Sequence, residues 1–149
     1  MQTLAENRKA RFDYDILETF DAGIVLSGQE VKSLMNGQIS LAGSYVVVKP
    51  QGAYLLNATI PPYQPKNAPK EYEPARSRTL LLKKKEIGYL LGKAKESKLT
   101  IVPLSCYRIK SKIKLSIGLA RSKRKHDKRE TAKTRETDRE INRALKNSD

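Results

Sequence analysis

Lys112-Ile113-Lys114-Leu115-Ser116-Ile117-Gly118-Leu119 carries an apolar side chain at every second position, with charged or small residues between. A period of two belongs to a strand buried on one face, so Ile113, Leu115, Ile117 and Leu119 are expected inward and Lys112 and Lys114 outward. Just upstream, Leu99-Thr100-Ile101-Val102-Pro103-Leu104-Ser105-Cys106-Tyr107-Arg108 reads as a second strand, turned back by Lys110-Ser111. Pro103 should break or edge it, because proline offers no amide to a central ladder.

Working outward, Tyr45-Val46-Val47-Val48 and Ala53-Tyr54-Leu55-Leu56 flank Pro50-Gln51-Gly52, the signature of a hairpin. Asn7-Arg8-Lys9-Ala10-Arg11 reads as extended or weakly helical. Phe12, Tyr14 and Ile16 alternate with Asp13 and Asp15 in a strand running towards Phe20, and Asp21-Ala22-Gly23 reads as a turn before Ile24-Val25-Leu26. Ser27-Gly28-Gln29-Glu30 has capping-box spacing and should open a short helix through Val31, Leu34 and Met35, stopping at Asn36-Gly37. Lys32 lies off its apolar face. Residues 61–74 hold five of the seven prolines and must form a long surface loop. Residues 84–97 read as the main helix, with Ile87, Leu90 and Leu91 at i, i+3, i+4 and Lys83, Lys84, Lys85, Lys93 and Lys95 left over.

About six strands with short inserted helices favour a mainly β fold, an OB-like antiparallel barrel whose closure removes exposed sheet edges. The barrel should occupy residues 1–120 and a tail residues 121–149.

Thirty Lys and Arg stand against 16 Asp and Glu, a formal charge of +14. The excess is not confined to the tail, because residues 1–120 alone hold 19 basic and 10 acidic residues. Such a surface suits phosphate backbones, whose affinity comes from released counterions. An anionic membrane is the weaker partner, since the tail lacks the apolar face an interfacial helix needs. No run approaches the roughly 20 apolar residues of a membrane span and no secretory signal opens the chain, so a cytoplasmic protein is expected. The single cysteine, Cys106, excludes an internal disulfide and reads as a small core residue in a reducing compartment.

The tail opens Arg121-Ser122-Lys123-Arg124-Lys125-His126-Asp127-Lys128-Arg129 and holds 11 basic and 6 acidic residues, with only Ala132, Ile141, Ala144 and Leu145 as aliphatics. That is too little apolar surface to offset the entropy of ordering it, so it should be disordered alone. Wound as a helix, Lys128, Arg135, Arg139, Arg143 and Lys146 share an arc of about 80°, opposite Ile141, Ala144 and Leu145. A helix formed on a polyanion fits this pattern, as does a solvated terminus kept for solubility.

Asn7-Arg8-Lys9-Ala10-Arg11, Asp13-Tyr14, Asp21-Ala22-Gly23-Ile24, Gly28-Gln29-Glu30-Val31-Lys32-Ser33-Leu34, Ser44-Tyr45-Val46, Arg76-Ser77-Arg78, Val102-Pro103-Leu104 and Asp127-Lys128-Arg129 together resemble, in order and spacing, the small protein B (SmpB) family of bacterial tmRNA-binding proteins. The resemblance spans nearly the whole chain. It implies an OB-type barrel that binds the tRNA-like domain of tmRNA and a tail that becomes helical in the small-subunit decoding centre and empty mRNA channel of a stalled ribosome. Trans-translation then tags the nascent chain and rescues the ribosome. EF-Tu and alanyl-tRNA synthetase are implied as indirect partners through tmRNA, and the protein is expected to be a monomer without cofactor or metal.

By position, the resemblance assigns Asn7, Arg8, Arg11, Tyr14, Asp21 and Lys32 to the tmRNA-facing surface. It assigns His126, Asp127, Lys128 and Arg129 to the decoding region, and Ala144 and Leu145 to the tail-end helix. Lys123, Arg124, Lys125, Arg135, Arg139 and Arg143 join the ribosome-facing set by charge. Phe12 stands where the family usually has histidine, Asp21 where glutamate is common, and Met35 where arginine is usual.

Two other classes fit the composition less well. Metal or nucleophilic catalysis needs clustered His, Cys or carboxylates, which one His and one Cys do not supply, so an enzyme is not expected; a metal-free RNase built on Lys, Tyr and Glu survives counting alone. A basic OB-fold ribosomal protein is the other alternative. RNA of irregular shape is recognised through backbone charge, 2′-hydroxyls and stacking, and the lysines, arginines and scattered tyrosines here suit that chemistry.

Overall fold

The alternating stretch is the last strand of a sheet that closes on itself. The computed structural model describes residues 1–67, 70–96 and 99–123. In order these form β1 (Gln2–Glu6), α1 (Arg8–Asp13), β2 (Tyr14–Ile24), α2 (Gly28–Met35), β3 (Tyr45–Lys49), β4 (Gly52–Leu56), a 3-10 turn (Pro65–Asn67), β5 (Arg78–Leu81), α3 (Lys84–Ala94), β6 (Leu99–Ile109) and β7 (Lys112–Ser122). All pairings are antiparallel in the order β1-β6-β3-β4-β5-β2-β7, and β7 returns to β6, so six strands make the ring and β1 adds a seventh outside it. The OB-like barrel is thus present, with one more strand than the sequence pattern suggested. Five residues with only Leu4 and Ala5 half-buried give little period signal, and the partner of β1 lies a hundred residues away.

Three local expectations are corrected. Residues 8–13 form a helix, so Phe12 belongs to α1 and the strand begins at Tyr14. Asn7 caps that helix, its side-chain carbonyl accepting from the Ala10 amide at 3.2 Å. Asp21-Ala22-Gly23 is not a turn: these residues pair with Ser116, Leu115 and Lys114, and β2 runs on to Ile24. Glycine serves packing there, since a Cβ on Gly23 would sit 3.2 Å from Leu81 Cβ. Nor does Pro103 break β6. Its ladder with β7 slips by one residue between Pro103 and Ser105, while on the other side β3 reaches Ile101 and β1 begins at Ser105. The proline occupies the changeover between partner strands, where no amide is demanded.

The interior is built as the periodicity requires. Leu115, Ile117 and Leu119 are buried with Ala22, Leu55, Leu80, Ile101 and Cys106, and half-buried Ile113 packs against them. Leu90 of α3 and Leu34 of α2 complete this core, and α3 lies against β3 and β6. The Ser27–Glu30 capping box forms, with Ser27 N–H donating to the Glu30 carboxylate at 2.8 Å and Glu30 N–H to the Ser27 hydroxyl at 3.3 Å. Tyr45–Lys49 and Gly52–Leu56 make the expected hairpin. α3 ends at Ala94, short of residue 97.

A second, smaller core lies on the outer face of the barrel. The ladder of β2 against β7 slips between Ile16 and Glu18, so Tyr14 and Ile16 point outward while Phe20, Ala22 and Ile24 point in. Outside, Tyr14 and Ile16 meet Ala10, Val102, Leu104 and Ala120, which fastens α1 to the barrel wall. Gly118 is what lets them close: a Cβ there would stand 3.0 Å from both Ile16 Cγ2 and Leu104 Cδ1. Gly118→Val is therefore expected to overpack this layer and cost about 1–3 kcal/mol in urea denaturation. An unchanged midpoint would show that the layer can yield.

α2 is held from below by a buried ion pair. Glu30 is 1% exposed and Arg78 wholly buried. Arg78 Nη2 and Nε donate to Glu30 Oε2 at 2.6 and 2.9 Å, Nη1 donates to the Ala58 carbonyl at 2.7 Å, and Nη2 also to the Pro74 carbonyl at 2.9 Å. Half-exposed Arg76 donates to the other carboxylate oxygen. One guanidinium thereby ties α2 to both ends of the proline-rich loop, which Ile60 N–H closes on the Pro74 carbonyl at 2.9 Å.

Candidate nucleic-acid interface

α1 carries the densest set of candidate residues, and Asn7 sets its position. Asn7 is 4% exposed. Its side-chain amide donates to the carbonyls of Pro103 at 2.9 Å and Leu41 at 3.2 Å, while its backbone N–H donates to Leu104 at 2.8 Å. Both amide protons are therefore used inside the protein. Asn7 thereby docks α1 on β6 and on the loop before β3, where the Ser44 hydroxyl also donates to Leu41 at 2.5 Å.

From that anchor Arg8, Lys9 and Arg11 project as exposed cations. Among the described residues none of them holds an ion pair, so their charge is available to a ligand. Between α1 and the loop before β3 opens a cleft of about 320 Å³ lined by Lys9, Asp13, Tyr14, Ser44, Tyr45 and Thr100. Tyr14 is half-buried on the second core, and Tyr45 on the opposite wall is 40% exposed. An aromatic wall with phosphate-attracting cations beside it suits an unstacked RNA segment.

The root of the tail joins the same surface. β7 continues through Ser122, two residues past the expected boundary, and Lys123 N–H donates to the Asp13 carbonyl at 2.9 Å. Lys123 Nζ reaches the Arg11 carbonyl at 3.5 Å. Lys123, the last described residue, therefore sits beside α1. Arg124, Lys125, His126, Asp127, Lys128, Arg129, Arg135, Arg139 and Arg143 lie outside the described residues.

The remaining candidates stand apart from α1. Asp21 is exposed on the outer face of β2, in a separate cleft of about 260 Å³ shared with Thr3, Ser105, Tyr107 and Ser116. Lys32 is exposed on α2 and lines neither cleft; its ammonium lies 6.0 Å from the centre of the Tyr63 ring, in the proline-rich loop. Cys106 is fully buried and burial pushes its thiol up to about 12, which leaves it inert at neutral pH. Among the described residues no three His, Cys, Asp or Glu side chains converge on a metal position, and no helix is long and apolar enough to cross a membrane.

Sequence reasoning missed the Glu30–Arg78 pair and Tyr107. The first had a signal: Arg78 and Leu80 share one face of a strand, so if Leu80 points inward Arg78 must follow it. Tyr107 had none, because its relation to Asp21 arises only through the shared partner strand.

What the fold and this surface define is a class: a small closed β-barrel that carries a cationic helix and an aromatic-walled cleft on its outside. The chain belongs to the SmpB protein family, whose model matches residues 4–147. It is 50% identical over 143 residues to the SsrA-binding protein of Magnetococcus marinus, covering 96% of this chain and 95% of that protein. It is 46% identical over 143 residues to that of Gloeothece citriformis, with 96% and 92% covered, and 45% identical over 145 residues to that of Enterococcus faecalis, with 97% and 94% covered. Among solved structures, a chain from "tmRNA-SmpB: a journey to the center of the bacterial ribosome" superposes with a TM-score of 0.68 at 44% identity, covering 86% of this chain and 93% of that one.

Proposed function

We propose that this chain binds the tRNA-like domain of tmRNA and carries it to stalled bacterial ribosomes for trans-translation, itself catalysing nothing. The observation that carries this reading is the family match along nearly the whole chain, from the first strand into the basic tail. The unpaired cations of α1 supply the chemistry. Residues 1–123 grip the RNA, with Arg8 and Arg11 at phosphates and Tyr14 against a base or ribose, while Asn7 holds α1 in register. Asp21 and Lys32 extend the contact along the wall and onto α2. The tail, from Lys123 through Arg143, enters the decoding centre and the mRNA channel. EF-Tu and alanyl-tRNA synthetase act on the same RNA, and the protein works as a monomer in the cytoplasm.

Pulldown of the tagged protein followed by sequencing of the bound RNA tests the reading. One structured RNA, recovered with substoichiometric ribosomes, is expected; a protein stoichiometric with ribosomes and no enriched RNA would defeat it. In a salt titration of binding, Arg8→Ala and Arg11→Ala are each expected to lower the salt slope by up to about 0.7–0.9. An unchanged slope would remove those side chains from the phosphates.

A further inference from the structure

Leu80 and Leu82 both pack into the barrel, while Leu81 between them is 59% exposed. The register sets Leu81 beside Gly23 of β2, and because Leu80 pairs with Ala53, its neighbour on the other side is Gly52 of β4. Both bare positions are covered sideways. A Cβ on Gly23 would meet Leu81 Cβ at 3.2 Å, and one on Gly52 would meet the Tyr54 hydroxyl at 3.5 Å. Leu81 and Tyr54 therefore lie down along the barrel wall. In the adjoining row Tyr54 pairs with half-buried Val47 and with Thr79, and the Val25 amide donates to the Thr79 carbonyl at 2.9 Å. Val25 is itself 47% exposed. Together these side chains make a flat apolar platform across β3, β4, β5 and the end of β2.

Cations bound the platform at both ends. Lys49 pairs with Gly52 on one side and Lys114 with Gly23 on the other, with Lys112 two residues before it on the same face. Among the described residues none of the three lysines holds an ion pair, and Asp21, two residues along β2 from Gly23, leaves Lys114 unpaired. Four strand spacings of about 4.8 Å put Lys49 and Lys114 roughly 19 Å apart along the wall. An RNA backbone here would press phosphates against Leu81 and Val25, which offer them no donor and offer a base no ring to stack on. A bilayer takes up side chains that protrude, and these lie flat. An apolar centre inside a charged rim is instead the anatomy of a protein interface.

We propose that this platform docks an acidic protein partner, through a segment whose apolar stripe of about three helical turns lies between carboxylates at its two ends. The lysines choose the sign of the partner and Leu81 supplies the contact at its centre. This goes beyond the RNA-binding reading and does not depend on it. The α1 cleft stands at the Tyr14 end of β2 and the platform at the Gly23 end, so one chain can hold both ligands.

The probe is a synthetic helical peptide of about 15 residues with leucines at i, i+3, i+4 and i+7 and glutamates at both ends, titrated against the full chain by fluorescence anisotropy. Leu81→Asp is expected to weaken its binding by about tenfold or more, as for a central contact. Lys49→Glu combined with Lys114→Glu should abolish it and confer binding of the same peptide with lysine ends. These side chains point away from the core, and circular dichroism checks that each variant is folded. In cells, a photo-crosslinking residue at position 81 is expected to join an acidic stretch of a protein, identified by mass spectrometry, with a yield that falls when the two lysines are reversed. Peptide binding indifferent to Leu81 or to charge reversal, or no binding at all, would overturn the proposal. So would crosslinks to RNA, a drop in affinity for the tRNA-like RNA on Leu81→Asp, or capture of anionic phosphatidylglycerol vesicles through Leu81. Affinity of the wild-type chain for that RNA, measured alongside, tests the RNA-binding reading separately.

Discussion

Truncation after Lys123 is expected to leave affinity for the tRNA-like RNA within a few fold of the full chain while abolishing tagging of nascent chains on stalled ribosomes. The cut falls there because Arg121 and Ser122 belong to β7 and Lys123 is bonded to the Asp13 carbonyl; removing them would unpick the end of α1 along with the tail. What is lost is residues 124–149, including His126 and most of the tail's cations, whereas Arg8, Lys9, Arg11 and the Tyr14 cleft are untouched. Binding is read by fluorescence anisotropy and tagging in a reconstituted translation system with a non-stop message. A collapse of RNA affinity, or tagging near the full-length level, would refute the division of labour between barrel and tail.

Breaking the Glu30–Arg78 pair is expected to cost more stability than any other single change. Glu30→Gln leaves a wholly buried guanidinium without its counter-charge, a defect of about 3–5 kcal/mol, which is a large share of the roughly 5–15 kcal/mol that holds a domain of this size together. Arg78→Met should cost at least as much, because the Ala58 and Pro74 carbonyls lose their donors too. Urea denaturation followed by circular dichroism measures both, and a loss below about 1 kcal/mol in either would show that water reaches the site. In a double-mutant cycle the two losses should fall well short of adding, since the second substitution removes a charge already orphaned by the first.

The same pair sets an acid limit on the fold. Burial pushes the Glu30 carboxyl up, but the hydrogen bond from Ser27 and those from Arg76 and Arg78, together with the Arg78 charge, outweigh it and leave the group below its ordinary value. A carboxylate depressed on folding contributes stability that is fully present above its unfolded value near 4.5 and is lost as pH falls through the lowered folded value. Wild-type stability should therefore decline on the acid side of that value, and Glu30→Gln should flatten the part of the decline that this group supplies.

How far the sequence can be read depends on the range of the interaction. The period-two run from Ile113 to Leu119, the turn at Pro50-Gln51 and the capping box at Ser27-Glu30 are each settled by neighbours a few residues away, and each formed as written. Asp21-Ala22-Gly23 misled because its composition is that of a turn while its backbone is claimed by β7 on one side and β5 on the other. Pro103 misled for a like reason: its missing amide matters only where a partner asks for it, and here two partner strands meet on either side of it.

Composition and spacing by themselves determined that this is a strongly cationic β-barrel protein with a basic tail, and the ordered set of short motifs determined its family. Tertiary structure alone decided that Asn7 anchors α1 to β6, that Glu30 and Arg78 lock α2 to the proline-rich loop, that Gly118 makes room for the layer under α1, and that Asp21 and Tyr107 share a cleft. Charge and periodicity are summed along the chain and survive in a string of letters. Burial and hydrogen-bond partnership are fixed by segments tens of residues apart, and they exist only once the sheet has closed.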